Sequence, residues 1–151
     1  MRSSVSRPPF GLEWMRRDRP HYMTAPPSKL HLDLAHDLSE VQRTRGQKRN
    51  YIAPRGSAKT SWISKGFVLH GAVEGIEPLT LLLAETGEQA RKYLDSVKEE
   101  LELNPAIARD YPDAAGKGRL WQSERIRMRN GCEIVARGGG GGPGPACGAR
   151  R

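Results

Sequence analysis

A lysine followed directly by a hydroxyl residue, and reached through a turn of small side chains, is a pattern suited to holding phosphate. Residues 53–60 carry it as Ala53-Pro54-Arg55-Gly56-Ser57-Ala58-Lys59-Thr60. Small side chains let backbone N–H groups converge on an anion, and a helix that starts at the lysine adds its positive end. In that chemistry Pro54, Arg55, Gly56, Ser57 and Ala58 form the cradle and Lys59 reaches the outer phosphates. The Thr60 hydroxyl would hold magnesium. Glycine is usual six residues before the lysine and immediately before it, and this chain has Ala53 and Ala58 there. Those eight residues alone are equally compatible with an ordinary basic loop preceding a helix, so the flanking elements have to discriminate.

The flanks have the required order. Tyr51-Ile52-Ala53 reads as a short apolar strand ending at Pro54. From Lys59, the residues Trp62, Ile63, Gly66, Phe67, Leu69 and His70 recur near helical spacing until Gly75. Leu79-Thr80-Leu81-Leu82-Leu83-Ala84 is a nearly continuous apolar run, the pattern of a strand buried on both faces of a parallel sheet. Thr86 and Gln89 form a capping-box pair. The helix they open carries Ala90, Leu94, Val97 and Leu101 inward, with Glu88–Lys92 and Arg91–Asp95 as outer charge pairs. Asn104-Pro105 stops it. Arg125 to Arg129 then alternates, Asn130-Gly131 is a hairpin signal, and Cys132 to Ala136 alternates back, placing Ile126, Met128, Cys132 and Ile134 toward a core. Arg125, Arg127 and Arg129 line the opposite face, where they either track a phosphate backbone or form a solvated surface. Strand, helix, strand, helix with the loop in the first turn predicts an α/β fold with a parallel sheet.

Upstream, Met1 to Pro27 is rich in Arg and Pro and predicts an irregular basic arm, with Phe10, Trp14, Met15 and Tyr22 available for docking. Ser28 caps a predicted helix bearing Leu30, Leu34, Leu38 and Val41. His31 and His36 lie near Asp33 and Asp37, but five residues apart on a helix they do not share a face, which argues against a metal site. Arg43, Arg45, Lys48 and Arg49 form a basic connector. The 151-residue chain has a formal net charge of +8 and 36% hydrophobic residues, with aromatics only 6%. This balance predicts one domain with an aliphatic core and an anionic partner. Cys132 and Cys147 are too few for a disulfide scaffold and too far apart for a metal knuckle. No membrane-length apolar run occurs, so the expectation is a soluble, intracellular protein without membrane contact.

Taken in order, these motifs resemble the phage terminase large subunits, ATPases that pump DNA into viral capsids. The likeness runs through Pro54-Arg55-Gly56-Ser57-Ala58-Lys59-Thr60 and Ala84-Glu85-Thr86-Gly87-Glu88-Gln89-Ala90. It continues through Leu101-Glu102-Leu103-Asn104-Pro105, Asp110-Tyr111-Pro112, Trp121 and the run Ile126 to Gly138, and covers about residues 28–138. The resemblance implies a P-loop NTPase-type parallel sheet with flanking helices and a β-hairpin. It implies ATP and magnesium as ligands, with Lys59 and Arg55 acting on the β- and γ-phosphates and Thr60 on the ion. Its partners would be double-stranded DNA, the small terminase subunit and the capsid portal in the host cytoplasm, with a homo-oligomer only in the full-length protein. Two other readings remain: another P-loop motor or helicase, and a small basic nucleic-acid-binding protein without ATPase activity.

The family pattern continues past the hairpin into an apolar strand ending in paired acids, a coupling motif and a nuclease domain. Here no acidic residue follows Glu133, and Gly138 to Gly142 leads into a Gly/Pro-rich tail over residues 139–151, expected to be disordered. By comparison the domain is expected to be incomplete at its C-terminus, from truncation, a frameshift or an incomplete gene model. The chain alone is then expected to hydrolyse slowly or not at all, to bind nucleotide weakly and to be marginally stable, because the Tyr51–Ala53 strand would lack a neighbour.

Overall fold

The computed structural model describes residues 26–140. Helix α1 (Lys29–Arg43) opens the described chain. Ser28 precedes it in an extended conformation, and the Ser28 N–H donates to His31 Nδ1 at 3.0 Å, so an imidazole takes the place of the Glu or Gln of a usual capping box. Leu34 and Leu38 are buried as the four-residue spacing requires, whereas Leu30 remains 41% exposed.

After the loop the chain is helical from Lys59, first through a π-helical segment (Ser61–Phe67) and then through α2 (Val68–Val73). A π segment inside a helix is uncommon and is frequently found at functional sites. Gly75 adopts φ 66°, and Ile76 N–H donates back to the Gly71 carbonyl at 3.0 Å, which ends the helix where the sequence predicts.

Strand β1 (Leu79–Ala84) leads into α3 (Gly87–Leu103), whose first turn is capped by Thr86 Oγ1 accepting from Gln89 N–H at 3.2 Å. Ala90, Leu94, Val97 and Leu101 are all essentially inaccessible, as their helical spacing demands. Glu88 pairs with Lys92 as expected, at 2.8 Å. Arg91 does not pair with Asp95. It reaches across to Glu124 at 2.7 Å, and Asp95 takes Lys98 instead. A partner held by a neighbouring element displaces the local one.

Asn104 ends α3 and begins α4 (Pro105–Asp110), accepting from Ala106 and Ile107 N–H with Pro105 in the first turn. Strands β2 (Leu120–Trp121), β3 (Arg125–Arg127) and β4 (Glu133–Gly138) follow. The order across the sheet is β1-β4-β3-β2. β1 runs parallel to β4 with Leu82 opposite Ala136, and the other pairs are antiparallel with Ile126 opposite Ile134. The fold is therefore α/β with a mixed four-stranded sheet: β1 and β4 form the one parallel pair among the described residues, and the expected hairpin supplies antiparallel pairing beside it.

The hairpin forms, but its connection is longer than a two-residue Asn-Gly turn. Met128 N–H donates to Cys132 O at 2.8 Å and Gly131 N–H to Met128 O at 3.1 Å, so three residues, Arg129 to Gly131, close the loop. Gly131 supplies the left-handed position at φ 90°. Ile126, Met128, Cys132 and Ile134 are buried in the core, as their alternation predicts, and Ala136 is buried with them.

Two expectations fail for a common reason. Tyr51 to Ala53 is not a strand, and Ile52 is 90% exposed. Strand β1 is not covered on both faces: Leu82 is buried, while Leu79, Leu81 and Leu83 remain 60%, 55% and 66% exposed. Among the described residues β1 pairs only with β4, so it lies at the sheet's edge. The apolar run reports β propensity, but its second face and second hydrogen-bonding edge need elements that the described residues do not provide. The predicted arm over residues 1–27 and the tail over 139–151 fall almost wholly outside the described residues.

Candidate phosphate-binding loop

The loop is built from two left-handed residues. Pro54 starts a turn in which Ser57 N–H donates to the Pro54 carbonyl at 3.4 Å, with Gly56 at φ 81° in the third position. A type II turn needs a positive φ there, which glycine adopts at no steric cost. Ala58 is the only non-glycine residue with positive φ among the described residues, at 54°. It therefore takes the conformation usually left to glycine just before the lysine, although its Cβ makes that conformation costly. The chain turns helical at once: Trp62 N–H donates to the Ala58 carbonyl at 3.1 Å. A left-handed residue followed by helical ones turns successive N–H groups toward one side, the geometry of an anion nest.

Pro54, Arg55, Gly56, Ala58 and Thr60 are exposed, and Ser57 and Lys59 are partly covered. Lys59 Nζ donates to the Tyr51 carbonyl at 3.2 Å. That carbonyl belongs to a segment held by α1 rather than by a sheet, because Tyr51 Oη donates to Asp37 at 2.5 Å. Burial, reinforced by Asp37, pushes the Tyr51 phenol up to about 12. Arg49 lies 3.8 Å from Asp37 and 3.7 Å from Glu40, so part of the basic connector is spent on α1.

A second tie joins α1 to the loop. His31 Nε2 lies 2.7 Å from the Ser57 carbonyl, and the imidazole stacks on Trp62 with centroids 4.9 Å apart and planes within 5°. Because Nδ1 accepts from Ser28 N–H, the ring proton sits on Nε2, which donates to Ser57. Sequence reasoning weighed His31 only as a metal ligand and missed this role. Its place in the first turn after Ser28 is local information, but its contact with residue 57 is not. The Ser57 hydroxyl is the one buried side-chain polar atom without a partner among the described residues.

The hairpin arginines are less available to an anion than their alternation suggested. Arg125 and Arg127 both bond Glu133, Arg127 through Nη2 at 2.9 Å, and Arg129 Nε donates to the Lys117 carbonyl. Arg125 first, then Arg127, hold the Glu133 carboxyl below the usual range against the opposing effect of burial. A separate cavity of about 880 Å³, lined by Glu74, Tyr111, Arg129 and Asn130 among others, also includes Val73 in its wall. It therefore lies at the far end of the helix that starts at Lys59, about 20 Å from the loop. No group of three His, Cys, Asp or Glu among the described residues is arranged to hold a metal ion. No helix of the described residues is long and apolar enough to cross a membrane.

No protein-family model, curated protein or solved structure matches this chain.

Proposed function

We propose that residues 54–60 bind the phosphates of a nucleoside triphosphate, and that the chain is part of the ATPase region of a terminase-type motor that packages DNA. The observation that carries the phosphate reading is the loop's backbone: left-handed Gly56 and Ala58 lead directly into a helix whose first residue is Lys59. The exposed Thr60 fits the same ligand. The packaging reading rests on the ordered series of motifs from Pro54 to Gly138.

In this reading Lys59 exchanges its single bond to the Tyr51 carbonyl for charge-assisted bonds to the outer phosphates, which are the stronger interaction. Arg55, exposed in the turn, reaches the γ-phosphate in cis and stabilises charge as it moves toward the leaving group. Thr60 would hold magnesium, whose charge would offset that of the phosphate oxygens. The loop positions and polarises the triphosphate, and an acidic partner for the attacking water is not found in the sequence after Glu133. Double-stranded DNA, the small terminase subunit and the capsid portal are the partners this reading supplies.

The test is binding of a fluorescent ATP analogue with magnesium by the wild-type chain and by Lys59→Ala. Wild-type binding weakened at least tenfold by the substitution is expected, equivalent to about 1.4 kcal/mol. Equal affinities would leave the loop a structural turn and favour a basic nucleic-acid-binding protein.

A further inference from the structure

We infer that His31 is a positioning residue for the phosphate loop, fixing the Ser57–Ala58 peptide so that the Ala58 N–H is presented to an anion. The inference rests on the phosphate-binding reading above and adds a residue from outside the loop to it.

The argument is one of peptide geometry. Among the described residues there is no cis bond, and in a trans peptide the carbonyl and the following N–H point in opposite directions. His31 Nε2–H holds the Ser57 carbonyl at 2.7 Å on the α1 side. The Ala58 N–H must then point away from α1. It donates to no other group among the described residues. If that peptide flipped, a carbonyl oxygen would replace the donor and repel the phosphate.

His31 is itself held on three sides. Its Nδ1 accepts from Ser28 N–H at 3.0 Å, and its face lies on Trp62, which is 3% exposed and anchored in the core. Its ring therefore cannot flip without losing the Ser28 contact, nor tilt without losing the stack on Trp62. Trp62 stands in the first turn of the loop's own helix, so the platform and the peptide it orients form one unit. A histidine that served only to cap α1 would need the Ser28 contact and neither of the others.

Two substitutions separate the hydrogen bond from the packing. His31→Phe keeps a ring on Trp62 and removes the donor; His31→Gln places an N–H near the Nε2 position and removes the ring. Affinity for the magnesium complex of a fluorescent ATP analogue is expected to fall about tenfold or more in His31→Phe and to stay within about threefold of wild type in His31→Gln. In ¹⁵N spectra, nucleotide should shift the Ala58 amide proton downfield in wild type and His31→Gln but not in His31→Phe. Melting curves without nucleotide monitor folding, and the amide readout applies to whichever variant melts cooperatively. Wild-type affinity in His31→Phe with a normal Ala58 shift would overturn the inference while leaving the loop intact. If Lys59→Ala also binds like wild type, or the wild type does not bind, the phosphate reading fails and this inference with it.

Discussion

A single methyl group added at Gly138 should be strongly damaging. Gly138 closes β4 opposite Ala84, and a Cβ added there would lie 2.4 Å from Gly87 N, 2.9 Å from the Thr86 carbonyl carbon and 3.0 Å from Gly87 Cα. All three are backbone atoms at the start of α3, so no rotamer change relieves them. Ordinary contact requires the helix end to withdraw by roughly 1 Å, and a gap of that size forfeits a quarter to half of the dispersion energy along the opened surface. That surface includes Ala90 and Leu94, both at 0% exposure. Overpacking of this kind costs about 1–3 kcal/mol, and the rigidity of the contact places Gly138→Ala at the upper end. For a domain of this size a loss of about 3 kcal/mol lowers the melting temperature by roughly 10–20 °C. Gly87→Ala is the control from the other side of the same contact. Its Cβ would meet only Arg91 Nη1 at 3.9 Å, so it should change stability by no more than about 0.5 kcal/mol. Urea and thermal melts followed by circular dichroism measure both. Equal effects, or a loss below about 1 kcal/mol in Gly138→Ala, would refute the claim that helix α3 is seated directly on the end of β4.

Other perturbations have defined outcomes. Asn104→Ala removes the cap of α4 and the 2.9 Å bond to the buried Glu100, and should cost about 2–4 kcal/mol in the same melts. At position 58, Ala58→Val should lose about 1–2 kcal/mol, because a β-branched residue tolerates φ 54° poorly, whereas Ala58→Gly should keep nucleotide binding with little change in stability. The raised Tyr51 phenol means the folded chain holds that proton more tightly than the unfolded chain does. Its contribution is complete below about pH 10 and fades as pH rises through about 12. Absorbance of tyrosinate at alkaline pH should show a late step in the wild type that Tyr51→Phe lacks, and identical titrations would contradict the Asp37 contact. Glu133 has the opposite sign: its lowered carboxyl stabilises the fold above the ordinary carboxylate range and ceases to do so as pH falls through its depressed value. Glu133→Gln should flatten that acid limb.

The features legible in the sequence are those settled by neighbours a few residues away. The spacing of Ala90, Leu94, Val97 and Leu101 gives one apolar stripe because a helix repeats every 3.6 residues. Thr86 and Asn104 cap helices through bonds that span two or three residues, and the alternation from Arg125 to Ala136 separates core from surface on adjacent strands. The run before Lys59 likewise signals a tight turn, whose left-handed third position follows from Gly56, whereas the left-handed Ala58 runs against alanine's own preference. Long-range partners decided the rest. Tyr51 to Ala53 has the composition of a strand, yet a strand exists only where another backbone takes its hydrogen bonds, and Tyr51 is held by Asp37 instead. Leu79 to Ala84 is a nearly continuous apolar run, but Leu82 alone of its four leucines is buried. Arg91 chose Glu124 over the local Asp95, and His31 met Ser57, 26 residues further along the chain. Periodicity constrains which side of an element is apolar; what stands opposite that side is a property of the folded chain as a whole.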